Sequence, residues 1–353
     1  MTGMPGQPYL MSPESKYNAV QISGIGCYVP ERRTTNEHWE KLAQTSSDWI
    51  LKNVGIRERS RIGANETTAD MGAIASKAAL SMAGISADQV EWILCGTNSQ
   101  DDLWPSTASK IQEKIGATKA ASMDLQAGCS GWVFGMRQAQ GLLLSGEASC
   151  VLVVGSDALS RFLNYYDRDN LLFGDGAGAA VLTLSKESKR LGRMLFSTGT
   201  VPSRALALET IYTESQNAME FYLEGRDMST ANRPKPSMDG RLSLKLALTK
   251  CKESMSNVLA QAKKIGIEKS DIAYYVPHQT NMLILKALAE FIEFPMEKVE
   301  VIVDRYGGIS TASIPTALSE MNAAGKLKRG DLILSSVYGA GFTHGAMLYE
   351  WGH

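Results

Sequence analysis

The sequence predicts an α/β fold whose two halves are built alike. Short apolar, β-rich runs alternate with amphipathic helical stretches along the 353 residues, the pattern of helices layered on sheets. Strand-loop units of the first half also return in the same order in the second. "QVEWILCGTNS" (89–99) is matched by "DIAYYVPHQTN" (271–281), "SCVLVVGSDALS" (149–160) by "GDLILSSVYGAG" (330–341), and "GDGAGAAVLTLS" (174–185) by "GAGFTHGAMLYEW" (339–351). A repeat on this scale implies a duplicated unit, with the break near 185–195. The expected organisation is an N-terminal arm over 1–17, a first half over 18–190 and a second half over 191–353.

The elements follow in order. "MTGMPGQPYLMSPESKYN" lacks the basic start, apolar core and small-residue cleavage site of a secretory signal, and its prolines suit a loose arm. "AVQISGIGCYVP" reads as a strand, "NEHWEKLAQ" as a helix, and "TTADMGAIASKAALSMAG" as a long helix stopped by Gly84. "VEWILCGTN" and "ASMDL" read as strands, "WVFGMRQAQGLLLSG" as a helix, and "SCVLVVGSDAL" and "GAAVLTL" as core strands. Residues 198–239 show no clear period, and so long an irregular stretch reads as a lid or pocket wall, or as a solvated excursion. "SLKLALTKCKESMSNVLAQAKKIG" is an amphipathic helix closed by Gly266.

Composition excludes several function classes. Thirty-six basic residues nearly cancel 37 acidic ones, so no global field draws in nucleic acid or an anionic membrane. The longest apolar runs fall short of the roughly 20 residues that span a bilayer. Five cysteines without CxxC pairing argue against a disulfide framework or a zinc site and suit a reducing, cytoplasmic setting. There is no Walker motif, and the glycines of "FGDGAGAA" precede a strand rather than opening a helix. Neither a metal nor a tightly bound cofactor is expected.

Four stretches carry residues suited to chemistry. In "DLQAGCSGW" the thiol of Cys129 sits among small residues at a strand-turn-helix junction, where the helix dipole favours thiolate; the same context fits a buried packing cysteine equally well. His278, after a strand in "YYVPHQTNM", stands where a general base or an oxyanion donor belongs, although a lone histidine at a strand end is more often structural. In "DRYGGISTASIPTALSE" the glycines 307 and 308 permit close backbone approach to a ligand. "VYGAGFTHG" either offers backbone N–H groups of the loop 338–341 to a developing oxyanion or is an ordinary turn.

Taken in this order, these stretches resemble β-ketoacyl-acyl carrier protein synthase III of the thiolase superfamily, from about residue 18 to the end. "TSSDWILKNVGIRERSR", "AGCSGWVFGM", "LLFGDGAGAAVL", "VPHQTN" and "STASIPTAL" carry the resemblance. It implies a duplicated five-layered αβαβα fold, a homodimer, and a cysteine at the end of a pantetheine tunnel. Cys129 would take an acyl group from coenzyme A or an acyl carrier protein. A malonyl or β-ketoacyl thioester would then condense with it. The amides of Cys129 and Ala340 would form the oxyanion hole, and His278 would bind the second thioester's carbonyl. Trp49, Arg168 and Asn281 would serve the coenzyme A side, the first two sandwiching the adenine. Trp104 stands where relatives reach across the dimer. The family's third catalytic residue is the asparagine of "GNTSAAS", and here Gly308 of "GGISTAS" takes its place. That departure keeps three functions open: condensation in specialised metabolism with another donor on the oxyanion, such as Ser310 or Thr311; acyl transfer to an alcohol, amine or thiol; or a subunit active only with a partner.

Overall fold

The structure is a computed structural model and describes residues 19–185, 191, 193–209 and 235–353. The expected arm over 1–17 and the middle of the 198–239 segment lie outside those residues. Two sheets dominate. The first is formed by β1 (Ala19–Tyr28), β2 (Trp92–Gly96), β3 (Ala121–Leu125), β4 (Cys150–Ala158) and β5 (Asp175–Ser185), in the order β1-β5-β4-β2-β3. The second holds β6 (Leu195–Thr200), β7 (Ile272–Tyr275), β8 (Leu332–Gly339) and β9 (Thr343–Glu350), in the order β6-β9-β8-β7. Pairing senses agree strand for strand. β4 runs parallel to β2 and antiparallel to β5, with β5 antiparallel to β1; β8 runs parallel to β7 and antiparallel to β9, with β9 antiparallel to β6. The sequence echoes therefore correspond to strands that occupy the same places in the two sheets.

The helices complete five layers. α2 (Thr68–Ala83) and α3 (Thr107–Ile115) cover the outer face of the first sheet, while α5 (Gly240–Lys263) and α6 (Met282–Phe291) cover that of the second. Between the sheets lie α4 (Gly131–Ser145) and α7 (Ser313–Ala323). Strands covered on both faces bury every residue, as β4 does from Cys150 to Ala158. Their alternation divides the side chains between layers: Val151 and Val153 join the central cluster, and Cys150, Leu152 and Val154 the outer one. In the second sheet Ile333 and Val337 face the centre, and Leu332 and Leu334 face α5.

Helix ends follow local chemistry. Thr67 caps α2 by accepting from the Asp70 N–H, and Gly84 closes it in the left-handed conformation. Asp239 caps α5 through the Leu242 N–H at 2.9 Å. In open α/β sheets, ligands bind outside the carboxyl ends of the strands. Here Asn98 follows β2, Cys129 follows β3, Asp157 ends β4, His278 follows β7 and Ala340 follows β8. Both sheets thus direct their C-terminal loops into one region.

Candidate active site

Cys129 lies between the end of β3 at Leu125 and the start of α4 at Gly131, one residue before the N-cap Ser130. Two glycines define its surroundings. Gly128 has φ +55°, and a Cβ on it would fall 2.3 Å from the Ala340 nitrogen; a Cβ on Gly339 would fall 2.4 Å from the Cys129 nitrogen. Only glycine allows these loops to meet so closely. Their contact brings the N–H groups of Cys129 and Ala340 to the cysteine sulfur, together with the Ser310 hydroxyl. Burial nonetheless pushes the Cys129 thiol up to about 12, with Asp157 adding to the rise, and the hydrogen bonds from Ser310 and the two amides offset only part of it. The helix start therefore does not make a resting thiolate, because desolvation outweighs the dipole and the donors. A nucleophilic role for this thiol would need a base to take its proton.

A buried carboxylate organises the wall beside the sulfur. Asp157 accepts from Asn98 N (2.6 Å), Asn98 Nδ2 (3.1 Å), Ser99 Oγ (3.1 Å) and Thr311 Oγ1 (2.8 Å). Asn98 Nδ2 also reaches Ser310 Oγ at 3.3 Å. Ser310 holds φ +51°, an uncommon conformation for a residue with a side chain. The Thr311 hydroxyl is held between Asp157 and the Gly96 carbonyl at 3.0 Å, so of the two hydroxyls considered from sequence only Ser310 faces the thiol.

His278 comes from the second half. It is 3% exposed, and its Nδ1 lies 2.7 Å from Ser313 Oγ while Nε2 has no hydrogen-bond partner among the described residues. The Ser313 hydroxyl donates to the Ser310 carbonyl. A hydroxyl has a single proton, so the Nδ1–H donates to Ser313 and Nε2 carries the lone pair. Burial lowers the imidazole to about 3, which keeps it neutral. Of the two roles left open for His278, this arrangement favours the base.

Tyr338 and Thr280 stand next to it. The Tyr338 ring meets the His278 ring edge-on at 5.4 Å, and its hydroxyl lies 2.5 Å from Thr280 Oγ1. Gly308 donates its N–H to the Leu172 carbonyl at 2.7 Å and accepts from the Gly174 N–H at 3.1 Å, so its backbone is engaged. A Cβ at Gly308 would lie 3.3 Å from the Gln279 and Leu172 carbonyl oxygens and 3.7 Å from Thr280 Cα. A side chain at 308 would therefore extend beside Thr280.

A cavity of about 210 Å³ joins these groups to the surface, with Cys129, His278, Thr280 and Tyr338 at one end and Trp49, Asn53, Arg168 and Asn281 at the other. A second, apolar pocket of about 60 Å³ continues past Cys129 between Leu159, Phe162, Leu163, Phe173 and Leu206. At the mouth, the Arg168 guanidinium lies 4.7 Å from the centre of the Trp49 ring. The two are stacked on each other, so a base would enter between them only by parting them. Asn281 caps α6: its Oδ1 accepts from Leu283 N at 2.8 Å and its Nδ2 donates to the Asn53 carbonyl at 3.3 Å. Leu206 and Met238, in the described flanks of the 198–239 segment, wall the cavity. Trp132 is buried in the central core rather than along either pocket.

Sequence reasoning brought out Cys129, His278, Ala340 and the Gly308 position but missed Asn98, Asp157, Ser313 and the Tyr338 hydroxyl. The serines of "STAS" and the tyrosine before the glycine turn were the available signals. Among the described residues no cluster of histidine, cysteine, aspartate and glutamate could hold a metal, and no helix is long and apolar enough to cross a membrane.

Comparisons with known proteins agree with one another. Family models described as 3-oxoacyl-[acyl-carrier-protein (ACP)] synthase III and as its C-terminal part match residues 123–199 and 262–351. The chain is 37% identical over 335 residues to the beta-ketoacyl-[acyl-carrier-protein] synthase III of Clostridium acetobutylicum, covering 95% of this chain and 99% of that protein. The crystal structure of the synthase III from Thermus thermophilus superposes with a TM-score of 0.82 at 36% identity, covering 94% of this chain and 99% of that one. The priming β-ketosynthase of a polyketide biosynthetic pathway superposes with a TM-score of 0.83 at 26% identity, covering 98% and 99%.

Proposed function

Because the chain belongs to the 3-oxoacyl-[acyl-carrier-protein] synthase III family, we propose that it is a condensing enzyme that loads an acyl group on Cys129 and joins it to the α-carbon of a second thioester. One observation carries the reading: Cys129 and His278, from different halves, line one cavity whose other end holds Trp49 and Arg168. An acyl-coenzyme A or acyl carrier protein thioester enters along it. His278 Nε2 takes the thiol proton as the Cys129 sulfur attacks the thioester carbonyl. The N–H groups of Cys129 and Ala340 receive the oxyanion. The tetrahedral species collapses, the donor thiol leaves with that proton, and Cys129 keeps the acyl group. The acyl chain occupies the apolar pocket lined by Phe162, Leu163 and Phe173.

In the second half-reaction a malonyl thioester follows the same path. Loss of carbon dioxide leaves the C–C electron pair as an enolate, whose carbon attacks the acyl carbon. Cys129 departs as thiolate and takes one proton from the medium. Gly308, in place of the family's asparagine, supplies no side-chain donor at this step, which supports a specialised rather than a housekeeping condensation. A homodimer is part of the proposal, because Trp104 is 87% exposed and Leu103 59%, an apolar pair suited to burial against a second copy.

Intact-protein mass spectrometry with a panel of acyl-coenzyme A donors tests the reading. A single acyl mass gain is expected, absent in Cys129→Ala, followed on addition of malonyl thioester by release of a β-ketoacyl product. Discharge only by alcohols, amines or thiols would replace condensation with plain acyl transfer. Failure of the isolated chain to load any donor would point to the partner-dependent reading.

A further inference from the structure

Resting on the reading of Cys129 as the acyl acceptor, we infer that the Tyr338 hydroxyl, held by Thr280, is the catalytic donor that stabilises the enolate oxygen in this enzyme. The enolate is an anion formed in a largely apolar cavity, so a hydrogen-bond donor has to meet it. Two groups that could do so are absent. Gly308 has no side chain and its N–H is engaged by the Leu172 carbonyl. His278 presents a lone pair at Nε2, because Ser313 donates onward to the Ser310 carbonyl and must accept from Nδ1–H.

The hydroxyl pair fills that gap by proton counting. Tyr338 Oη and Thr280 Oγ1 share one hydrogen bond at 2.5 Å, and neither makes another among the described residues. Two hydroxyls carry two protons and the shared bond uses one. One O–H is therefore left over, and both residues line the cavity that contains Cys129 and His278. Tyrosine is the better placed donor of the two. Its ring lies edge-on to His278, and charge at Cys129 is felt at its hydroxyl. Burial also pushes the phenol well above its ordinary value, which keeps it protonated and donating. Thr280 is a positioning residue in this scheme, donating to Tyr338 Oη so that the phenolic proton turns to the cavity. A Cβ at 308 would lie 3.7 Å from Thr280 Cα, so an asparagine there would extend next to the residue that holds the Tyr338 hydroxyl.

The test separates loading from discharge in single-turnover mass spectrometry. Cys129 is first acylated by an acyl-coenzyme A, and its discharge by malonyl thioester is then timed. Tyr338→Phe is expected to lower the ratio of discharge rate to loading rate by about 10²- to 10³-fold, the usual cost of one oxyanion donor. Thr280→Val, which leaves the phenol but frees its orientation, is expected to lower it by less. Gly308→Asn should restore much of the loss in the Tyr338→Phe background while adding little to the otherwise unchanged enzyme. An unchanged ratio in Tyr338→Phe, a larger loss in Thr280→Val, or no rescue by Gly308→Asn would overturn the assignment. A protein that never loads Cys129 fails the proposed function instead, so the two failures are distinct.

Discussion

The two sides of the active site are made of different materials. Around Cys129 the polar groups that touch the sulfur are mostly backbone, the N–H groups of Cys129 and Ala340, fixed by the contact of Gly128 with Gly339. Around His278 they are side chains: Ser313 on Nδ1, and the Tyr338–Thr280 pair beside the ring. Backbone donors are placed by the fold, so a substitution alters them only by moving the chain. Side-chain donors change with a single residue while the fold stays as it is. Gly308 lies on the side-chain face, which is where a family reaction can be re-tuned at little structural cost, and the backbone donors beside Cys129 are insulated from such drift.

Two glycine-to-alanine substitutions test this contrast, and the largest effect is expected on the backbone side. Gly339→Ala puts a methyl 2.4 Å from the Cys129 nitrogen, and one loop has to retreat from the other. The oxyanion donors separate, so the rate of Cys129 acylation should fall by about 10²- to 10³-fold even where circular dichroism finds the protein folded. Gly308→Ala puts its methyl 3.3 Å from two carbonyl oxygens and 3.7 Å from Thr280 Cα, contacts relieved by a few tenths of an ångström. Acylation in that variant should stay within about threefold of the parent. Equal losses in the two variants would remove the distinction.

A second expectation concerns the thiol itself. With its pKa pushed up to about 12 by burial, the thiolate fraction of Cys129 keeps rising about tenfold per pH unit through the mildly alkaline range. Alkylation of the Cys129 peptide by iodoacetamide, followed by mass spectrometry, should climb without a plateau from pH 7 to 10. A small free thiol in the same tube levels off soon after its ordinary pKa of about 8.5. A plateau below pH 9 at Cys129 would mean that the amides and the helix start outweigh desolvation after all.

Much of this was legible in the chain because the signals were periodic or local. Alternation marked the doubly buried strands, and the paired units 89–99 and 271–281 lie on β2 and β7, which hold the same place in the two sheets. Cys129 was visible as a thiol among small residues at a strand-turn-helix junction, and His278 as a histidine directly after an apolar strand. Groups whose importance depends on residues distant in sequence were hidden. Asp157 matters because Asn98, Ser99 and Thr311, distant in sequence, converge on its carboxylate. The base role proposed for His278 depends on a serine 35 residues away whose own proton is engaged elsewhere. The expectation of a thiolate at the helix start failed for the same reason: local sequence gives the dipole, but the burial that outweighs it is set by the whole fold.

The smallest expected effect belongs at the mouth of the cavity, farthest from both faces of the chemistry. Arg168 already stacks on Trp49 at 4.7 Å, so an adenine entering there has to break one cation–π contact before making its own. Removing Arg168 takes away one face for the base but frees the other, and the two consequences oppose. Such contacts at exposed sites contribute about 0.5–1 kcal/mol. Arg168→Ala should therefore raise KM for an acyl-coenzyme A donor by about 2- to 5-fold, whereas Trp49→Ala, which removes the platform without freeing another, should raise it by more. Neither variant should affect an acyl-pantetheine donor, which has no nucleotide to stack. An equal loss with both donors would assign Trp49 and Arg168 to holding the α1 segment (Ser47–Asn53) in place rather than to the nucleotide.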